Sequence, residues 1–390
     1  MKTILLVSYN ELHITWGGVH RVNKLLMDGF TQHGFRCLYL INKAGAYFYI
    51  NNKETEENRL DREGLKQYLL VNRVDVIINQ EGIFSDSFHL AFRSLGLSNV
   101  RLLTVFHNTP SIYETIYGFN WLISKIKQNH SLKNRIPYLV RLIGFPFWRR
   151  LAKIKTAKRY QNIYSISDRC VMLSRNDIPT LKAYVPDLSS DKCIAIPNAL
   201  TFEKTSDNSI LQYKEKNVLI VSRLNDDEKR ISLALKVWRM LLDSGINDWT
   251  LTIVGTGPHE EKLKSLSQEL HLVNVSFVGR QKSEPYYDKA SIFMMTSAVE
   301  GWGLTLTESM QRGVVPIAFN SYPALSDIIT NNYDGCIVPN NDLHAFAYCM
   351  IDLMSDKEKR EDIARNALES CKRFELDKII CKWLELIETT

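Results

Sequence analysis

Residues 291–319, SIFMMTSAVEGWGLTLTESMQRGVVPIAF, hold two short apolar runs, Ile292–Met295 and Val314–Phe319, on either side of a glycine loop and a helical stretch. Runs of that length without polar alternation suit strands covered on both faces, as in a parallel sheet. Between them Gly301-Trp302-Gly303 permits backbone angles closed to residues with a Cβ, Leu304–Gln311 has helical character, and Gly313 is placed to end the helix. A helix that starts directly after such a loop turns unbonded N–H groups and a partial positive charge toward it, which makes an anion site. Glu308 lies about one turn inside this helix and Glu300 precedes the loop. Carboxylates only accept hydrogen bonds, so beside a bound phosphate they point to hydroxyl recognition, as on a ribose or a hexose. Either glutamate alone reads as a solvated residue; the pair, the loop and the flanking strands together point to a site.

The spacing Glu300, seven residues, Glu308 around Gly301-Trp302-Gly303-Leu304 resembles the signature of the retaining family 4 glycosyltransferases of bacterial surface polysaccharide synthesis. The resemblance implies an α/β chain of the GT-B fold, two Rossmann-like parallel-sheet domains facing a central cleft, with a nucleotide sugar as donor. On this reading the donor lies against Gly301, Trp302, Gly303, Leu304 and Thr305, Glu308 takes the ribose, and Glu300 stands by the transferred sugar.

Bulk properties agree with a two-domain enzyme. A chain of 390 residues is long for one core, and a formal net charge of +6 is modest, so the distribution of charge carries the information. Seven scattered cysteines, odd in number and with no Cys-x-x-Cys pair, argue for reduced cytosolic thiols. The opening MKTILLVSYN has too short an apolar run for a signal segment and reads as a first strand, and no run approaches the ~20 residues that span a bilayer.

In chain order, strand Thr3–Ser8 leads through a polar loop to Gly17-Gly18 and a helical pattern, a strand, glycine, helix cradle that serves equally as a packing turn. Strands at Phe35–Asn42, Asp75–Asn79 and Leu102–Phe106 alternate with helical stretches, and His107 follows the last of these, at the strand end where functional residues collect. An isolated histidine is also commonly structural. The resemblance implies that Gly17 and Gly18 lie against the donor diphosphate and His107 near the donor sugar. Strands at 169–174 and 193–196 precede a polar stretch, Thr205–Lys216, that reads as a linker; the expected domains are 1–205, which binds acceptor, 206–373, which binds nucleotide sugar, and a tail 374–390. The tail is apolar at 376, 379, 380, 383, 384 and 387, an amphipathic helix, and the resemblance implies that it returns to the first domain.

The second series opens with NVLIVSRLNDDEKR, placing Arg223 and Lys229 at a strand exit, where a planar fork and a compact charge suit a diphosphate. The resemblance implies this role for both, although the acidic run between them departs from the pattern. Gly255-x-Gly257 is a weak dinucleotide fingerprint, because Pro258-His259-Glu260 replace its third glycine. Arg280 ends the next strand, where the resemblance places the nucleotide base. From Thr115 to Ser167 there are eleven Lys or Arg and no Asp or Glu, interleaved with Trp121, Phe145, Phe147 and Trp148. A solvated helical face or a nucleic-acid patch has such charge too, but the aromatics beside Arg149-Arg150 fit an anionic membrane surface better.

The sequence thus reads as a glycosyltransferase moving a hexose, with a UDP-hexose as expected donor, onto a lipid-linked or polysaccharide acceptor at the inner membrane face, peripherally bound and cytoplasmic, with no nucleic-acid partner. No Asp-x-Asp occurs, so no metal site and no cofactor are expected, and Arg223, Lys229 and the helix N-terminus would carry the departing diphosphate. Retention is implied by the resemblance alone, and no side chain stands out as a dedicated base. Two other classes stay open: a dinucleotide oxidoreductase on the Gly255 loop, which lacks an acidic residue at the end of the next strand, and a non-enzymatic adaptor, which leaves Glu300 and Glu308 without a task.

Overall fold

The computed structural model describes residues 1–12, 17–112, 114, 118–128 and 131–389, with the side chains of 120, 121, 124, 127, 128 and 190 also outside the description. The expectations for Thr115, Trp121 and Lys127 therefore lie outside the described residues. Two compact units emerge: residues 1–199 with 376–390, and residues 200–375.

The first unit is built on an eight-stranded sheet, order β4-β3-β2-β1-β5-β6-β7-β8, comprising Thr3–Ser8 (β1), Arg36–Lys43 (β2), Tyr47–Tyr49 (β3), Arg59–Leu60 (β4), Val74–Asn79 (β5), Arg101–Phe106 (β6), Arg169–Met172 (β7) and Cys193–Ala195 (β8). All six residues of β1 are buried, as the absence of polar alternation in TILLVS requires of a central strand. The parallel run is extended by an antiparallel edge, with β2 pairing β3 and β3 pairing β4. That edge turns on Gly45, at φ 67°, where a Cβ would lie 2.4 Å from the Ser87 carbonyl oxygen.

The helix Leu376–Thr389 belongs to this unit and buries Ile379, Ile380, Trp383, Leu386 and Ile387. Its Ile380 fills the place of a side chain at Gly29 on the helix Gly18–Gln32, and Trp383 meets Phe30 edge to face at 6.3 Å. An apolar stripe at helical spacing thus finds the matching stripe of Val22, Leu26 and Phe30.

The second unit is a parallel six-stranded sheet, order β11-β10-β9-β12-β13-β14, made of Asn217–Val221 (β9), Thr250–Val254 (β10), Val275–Phe277 (β11), Ile292–Met295 (β12), Val315–Asn320 (β13) and Cys336–Pro339 (β14). Its core gathers both sheet and helices around Trp238, Trp249, Phe319 and Phe346. The stretch Thr205–Lys216 is no free linker. Asn208–Tyr213 forms a short 3-10 segment whose Leu211 is buried in this core, and the Leu200 amide donates to Phe374 O at 2.9 Å, so the division between units falls at 199/200.

Candidate active site

β9 and β12 are neighbours, with Val218 opposite Ile292 and Leu219 opposite Phe293, so the chain leaving one carboxyl end meets the chain leaving the other. After β9 come Arg223 and a helical turn, Asp226–Lys229; after β12 comes Thr296 to Gly303. The loops are laced together. The Ala298 amide donates to Glu228 O at 2.7 Å, and Thr296 Oγ1 donates toward the carbonyls of Lys229 and Arg230 at 3.0 Å each.

Arg230 holds the junction. Its backbone takes φ 49°, and its guanidinium donates to Thr296 O at 2.7 Å, to Ser297 O at 2.6 Å, and to the side-chain oxygens of Asn340 and Asn341. Burial pushes the guanidinium down to about 10, against the opposing charge of Asp226, so it remains a cation at neutral pH. The sequence marks Arg230 only as a neighbour of Lys229. A left-handed residue whose side chain reaches across to another loop has no local pattern by which to be found.

With the loops so fixed, Lys229 Nζ lies 2.5 Å from Glu300 Oε1, which also accepts from Ser297 Oγ at 2.7 Å. The two side chains are only 20% and 16% exposed, which places a charged pair at the head of two strands instead of on the outer surface. Arg223 pairs with Glu228 at 2.5 Å and leaves 61% of its side chain exposed. The acidic run between Arg223 and Lys229 therefore contributes the partner that orients Arg223.

Glycine is required at 303. The backbone there has φ 94° and ψ 57°, and a Cβ would lie 2.7 Å from Tyr322 Oη. From this left-handed start the helix Leu304–Gln311 presents the amides of Leu304 and Thr305, which have no intrahelical carbonyl to bond, and its first turn has no acidic side chain. Trp302 is 3% exposed and set edge-on to Phe374 at 5.2 Å, so the aromatic of the loop is an anchor that fixes the glycines on either side. Glu308 is 1% exposed. Its Oε1 accepts from Thr201 Oγ1 at 2.7 Å, and Tyr287 Oη lies 3.2 Å from both its Oε2 and the Thr305 carbonyl. Tyr322 is buried beside Glu300; burial first, and that carboxylate second, push its phenol far up, so it stays neutral.

The Gly255 loop is filled by protein. A Cβ at Gly255 would lie 1.8 Å from Ser222 O, and one at Gly257 would lie 2.6 Å from the Leu224 backbone. Leu224 N donates to Thr256 O and His259 N donates to Leu224 O, so these glycines admit the chain leaving β9, which carries Arg223. Arg280 follows β11, at the sheet edge, about 10 Å from β9 across two strand spacings, and is exposed.

The remaining candidates belong to the first unit. Gly17, at φ 58° and ψ 164°, precedes the helix Gly18–Gln32, whose first turn also lacks acidic residues. His107 leaves β6 with Nε2 2.5 Å from Gln80 Oε1, and burial lowers its imidazole to about 4, so it is neutral at neutral pH. Among the described residues no group of three or more His, Cys, Asp or Glu is gathered as a metal site, and all seven cysteines are free thiols.

Residues 202–370 match the family model described as "Glycosyl transferases group 1". This chain is related to the group 1 glycosyltransferases. It is 26% identical over 225 residues to an uncharacterized glycosyltransferase of Haemophilus influenzae, covering 53% of this chain and 64% of that one. It is 31% identical over 175 residues to the Campylobacter jejuni GalNAc-alpha-(1->4)-GalNAc-alpha-(1->3)-diNAcBac-PP-undecaprenol alpha-1,4-N-acetyl-D-galactosaminyltransferase, covering 45% and 48%. The chain thus spans between about half and two thirds of these relatives' length. The Anabaena HepE structure in complex with UDP superposes with a TM-score of 0.69 over 100% of both chains at 14% identity. That likeness gives the group 1 relative its architecture: two Rossmann-like units of the GT-B fold.

Proposed function

We propose that this chain transfers a hexose, with retention, from a UDP-sugar to a lipid-linked or polysaccharide acceptor in surface-glycan synthesis. The observation that carries the reading is the Lys229–Glu300 pair at the carboxyl ends of β9 and β12, beside the N-terminus of Leu304–Gln311. In the proposed mechanism Lys229, Arg223 and the Leu304 and Thr305 amides stabilise the charge that grows on the diphosphate as the glycosidic bond breaks. This arrangement supplies that compensation from protein groups, which is why metal independence is part of the proposal. Glu300, released from Lys229 when the lysine turns to phosphate, accepts from hydroxyls of the transferred sugar. Glu308 already faces two hydroxyls and takes ribose hydroxyls in exchange for Thr201 or Tyr287. Arg280 flanks the base.

The oxidoreductase alternative is disfavoured by the Gly255 loop, which lies against the β9 exit chain where a pyrophosphate would have to sit. Membrane association at the inner leaflet is a further part of the proposal. Its support is the set of exposed Leu132, Ile136, Ile143, Phe147 and Trp148 among basic side chains, while no helix among the described residues is long and apolar enough to cross a membrane.

The test is calorimetric titration of the intact chain with UDP, UDP-hexoses and NADH, followed by transfer assays. UDP binding and transfer that survives EDTA are expected, with Lys229→Ala and Arg223→Ala each lowering turnover at least tenfold. NADH binding without UDP binding would overturn the reading, and recovery of transfer only on adding Mg²⁺ or Mn²⁺ would remove its metal-free part.

A further inference from the structure

Away from these residues, the first unit contains a cavity of about 260 Å³, close to the smallest small-molecule pockets at about 300 Å³. It lies among the helices Phe119–Gln128, Leu132–Ile143 and Phe145–Ile166 and the side chain of Tyr184. Leu122, Phe145 and Trp148 give it apolar walls, and Arg141, Arg149, Lys153 and Lys155 surround it.

Among the described residues that line it only one carboxylate is present, Glu114, and it is spoken for: Arg149 pairs with it at 3.1 Å and Tyr184 Oη donates to it at 2.6 Å. Four cations against one carboxylate leave an excess of positive charge, and neither Arg141 nor Lys155 has an ion pair among the described residues. An apolar cavity rimmed by uncompensated cations is complementary to one kind of molecule, a hydrocarbon chain ending in a multiply charged anion. Arginine and lysine together favour phosphate, which takes a forked donor and a point charge at once.

We propose that this cavity binds a single long-chain phosphoester, with the first part of its chain against Leu122, Phe145 and Trp148 and its phosphate on Arg141, Arg149 and Lys155. The proposal rests on the reading of a lipid-linked acceptor and names what the lipid's attachment point must be, a phosphate or diphosphate ester. The site shares Trp148 and Arg149 with the surface proposed to meet the bilayer, but unlike that surface it holds one molecule, in a stoichiometric way.

Dodecyl phosphate, kept below its aggregation concentration, is the probe, with dodecanol and inorganic phosphate as controls, each titrated calorimetrically into the full chain. Saturable one-to-one binding at least tenfold tighter than either control is expected. Ala152 lines the cavity from an exposed helix face, so Ala152→Trp adds bulk there without disturbing a buried core, and it should weaken dodecyl phosphate binding at least tenfold. Arg141→Gln/Lys155→Gln should weaken it comparably and flatten its salt dependence. Co-sedimentation of Ala152→Trp with anionic vesicles should match the parent chain.

Non-saturating uptake, equal binding by Ala152→Trp, or vesicle binding of Ala152→Trp that falls in step with its dodecyl phosphate binding would each overturn the proposal. A UDP titration on the same preparations separates the two readings. Dodecyl phosphate binding without UDP binding discards the transferase reading and keeps the cavity, and the reverse keeps the transferase and discards the cavity.

Discussion

Glu308 is the most deeply placed of the candidate side chains, and removing it would take the carboxylate acceptor from Thr201 Oγ1 and one of two acceptors from Tyr287 Oη. Glu308→Ala should lower the stability of the second unit by about 1–3 kcal/mol, the scale for a buried polar group left without its partner, and should weaken UDP binding as well. Urea unfolding followed by tryptophan fluorescence, run beside a UDP titration, reads both; an unchanged midpoint would mean that Thr201 and Tyr287 find other acceptors. Histidines set a second residue-scale expectation. Burial lowers His89 and His107 to about 4, below the ordinary 6.5, so the unfolded chain takes up protons first as pH falls. Stability is therefore fully present above about pH 6.5 and is lost progressively down to about pH 4, below which these groups contribute no further slope. Fully buried His89, bonded to Thr104, Ser85 and Ser167, accounts for up to about 3 kcal/mol of that loss. In His89→Gln the fall in the first unit's unfolding free energy between pH 6.5 and 4 should be visibly shallower than in the parent chain; an identical slope would assign the acid sensitivity elsewhere.

Among elements, the turn at Gly255 shows how the backbone, more than the side chain, positions Arg223. Gly255→Ala would drive a methyl into Ser222 O, so it should destabilise the second unit and reduce transfer, while Thr256→Ala, whose carbonyl does the bonding, should do neither. Thermal unfolding and turnover of the two variants together check this. The tail helix supplies another case: Trp383, 3% exposed, should cost about 3–5 kcal/mol on truncation to Ala, measured as a shift in the first unit's transition alone. Strands such as Thr3–Ser8 and Ile292–Met295 are legible in sequence because both faces are covered and the apolar run needs no phase. The edge strands Tyr47–Tyr49 and Arg59–Leu60 are not, since three residues and two residues held by a hairpin carry no periodic signal. At the site, motif reading singles out Lys229 and Glu300 separately, but their pairing spans 71 positions and depends on Arg230 tying loop to loop. Leu211 illustrates the converse error: a polar neighbourhood reads as a linker although one buried side chain docks it.

For the whole molecule, charge is partitioned along the chain. Eleven of the 49 basic side chains and none of the 43 acidic ones lie in 115–167, so the rest of the chain is net negative by five. A bilayer rich in anionic lipid should thus attract one segment while the remainder is repelled, with each basic side chain near the surface contributing on the order of 1 kcal/mol. Co-sedimentation with vesicles should require anionic lipid, fall as salt rises from about 0.05 to 0.5 M with the shortening Debye length, and drop further in Arg149→Glu/Arg150→Glu. Equal binding to neutral vesicles would show the attraction to be apolar alone. The return of the helix Leu376–Thr389 to the first unit has a consequence for synthesis on the ribosome. At about 5–20 residues per second, roughly 10 to 40 s separate emergence of residue 199 from that of the helix that covers Leu26 and Phe30. During that interval the second unit is still being made and the first exposes an apolar groove, so the opening part of the nascent chain is completed only after nearly all the rest has emerged.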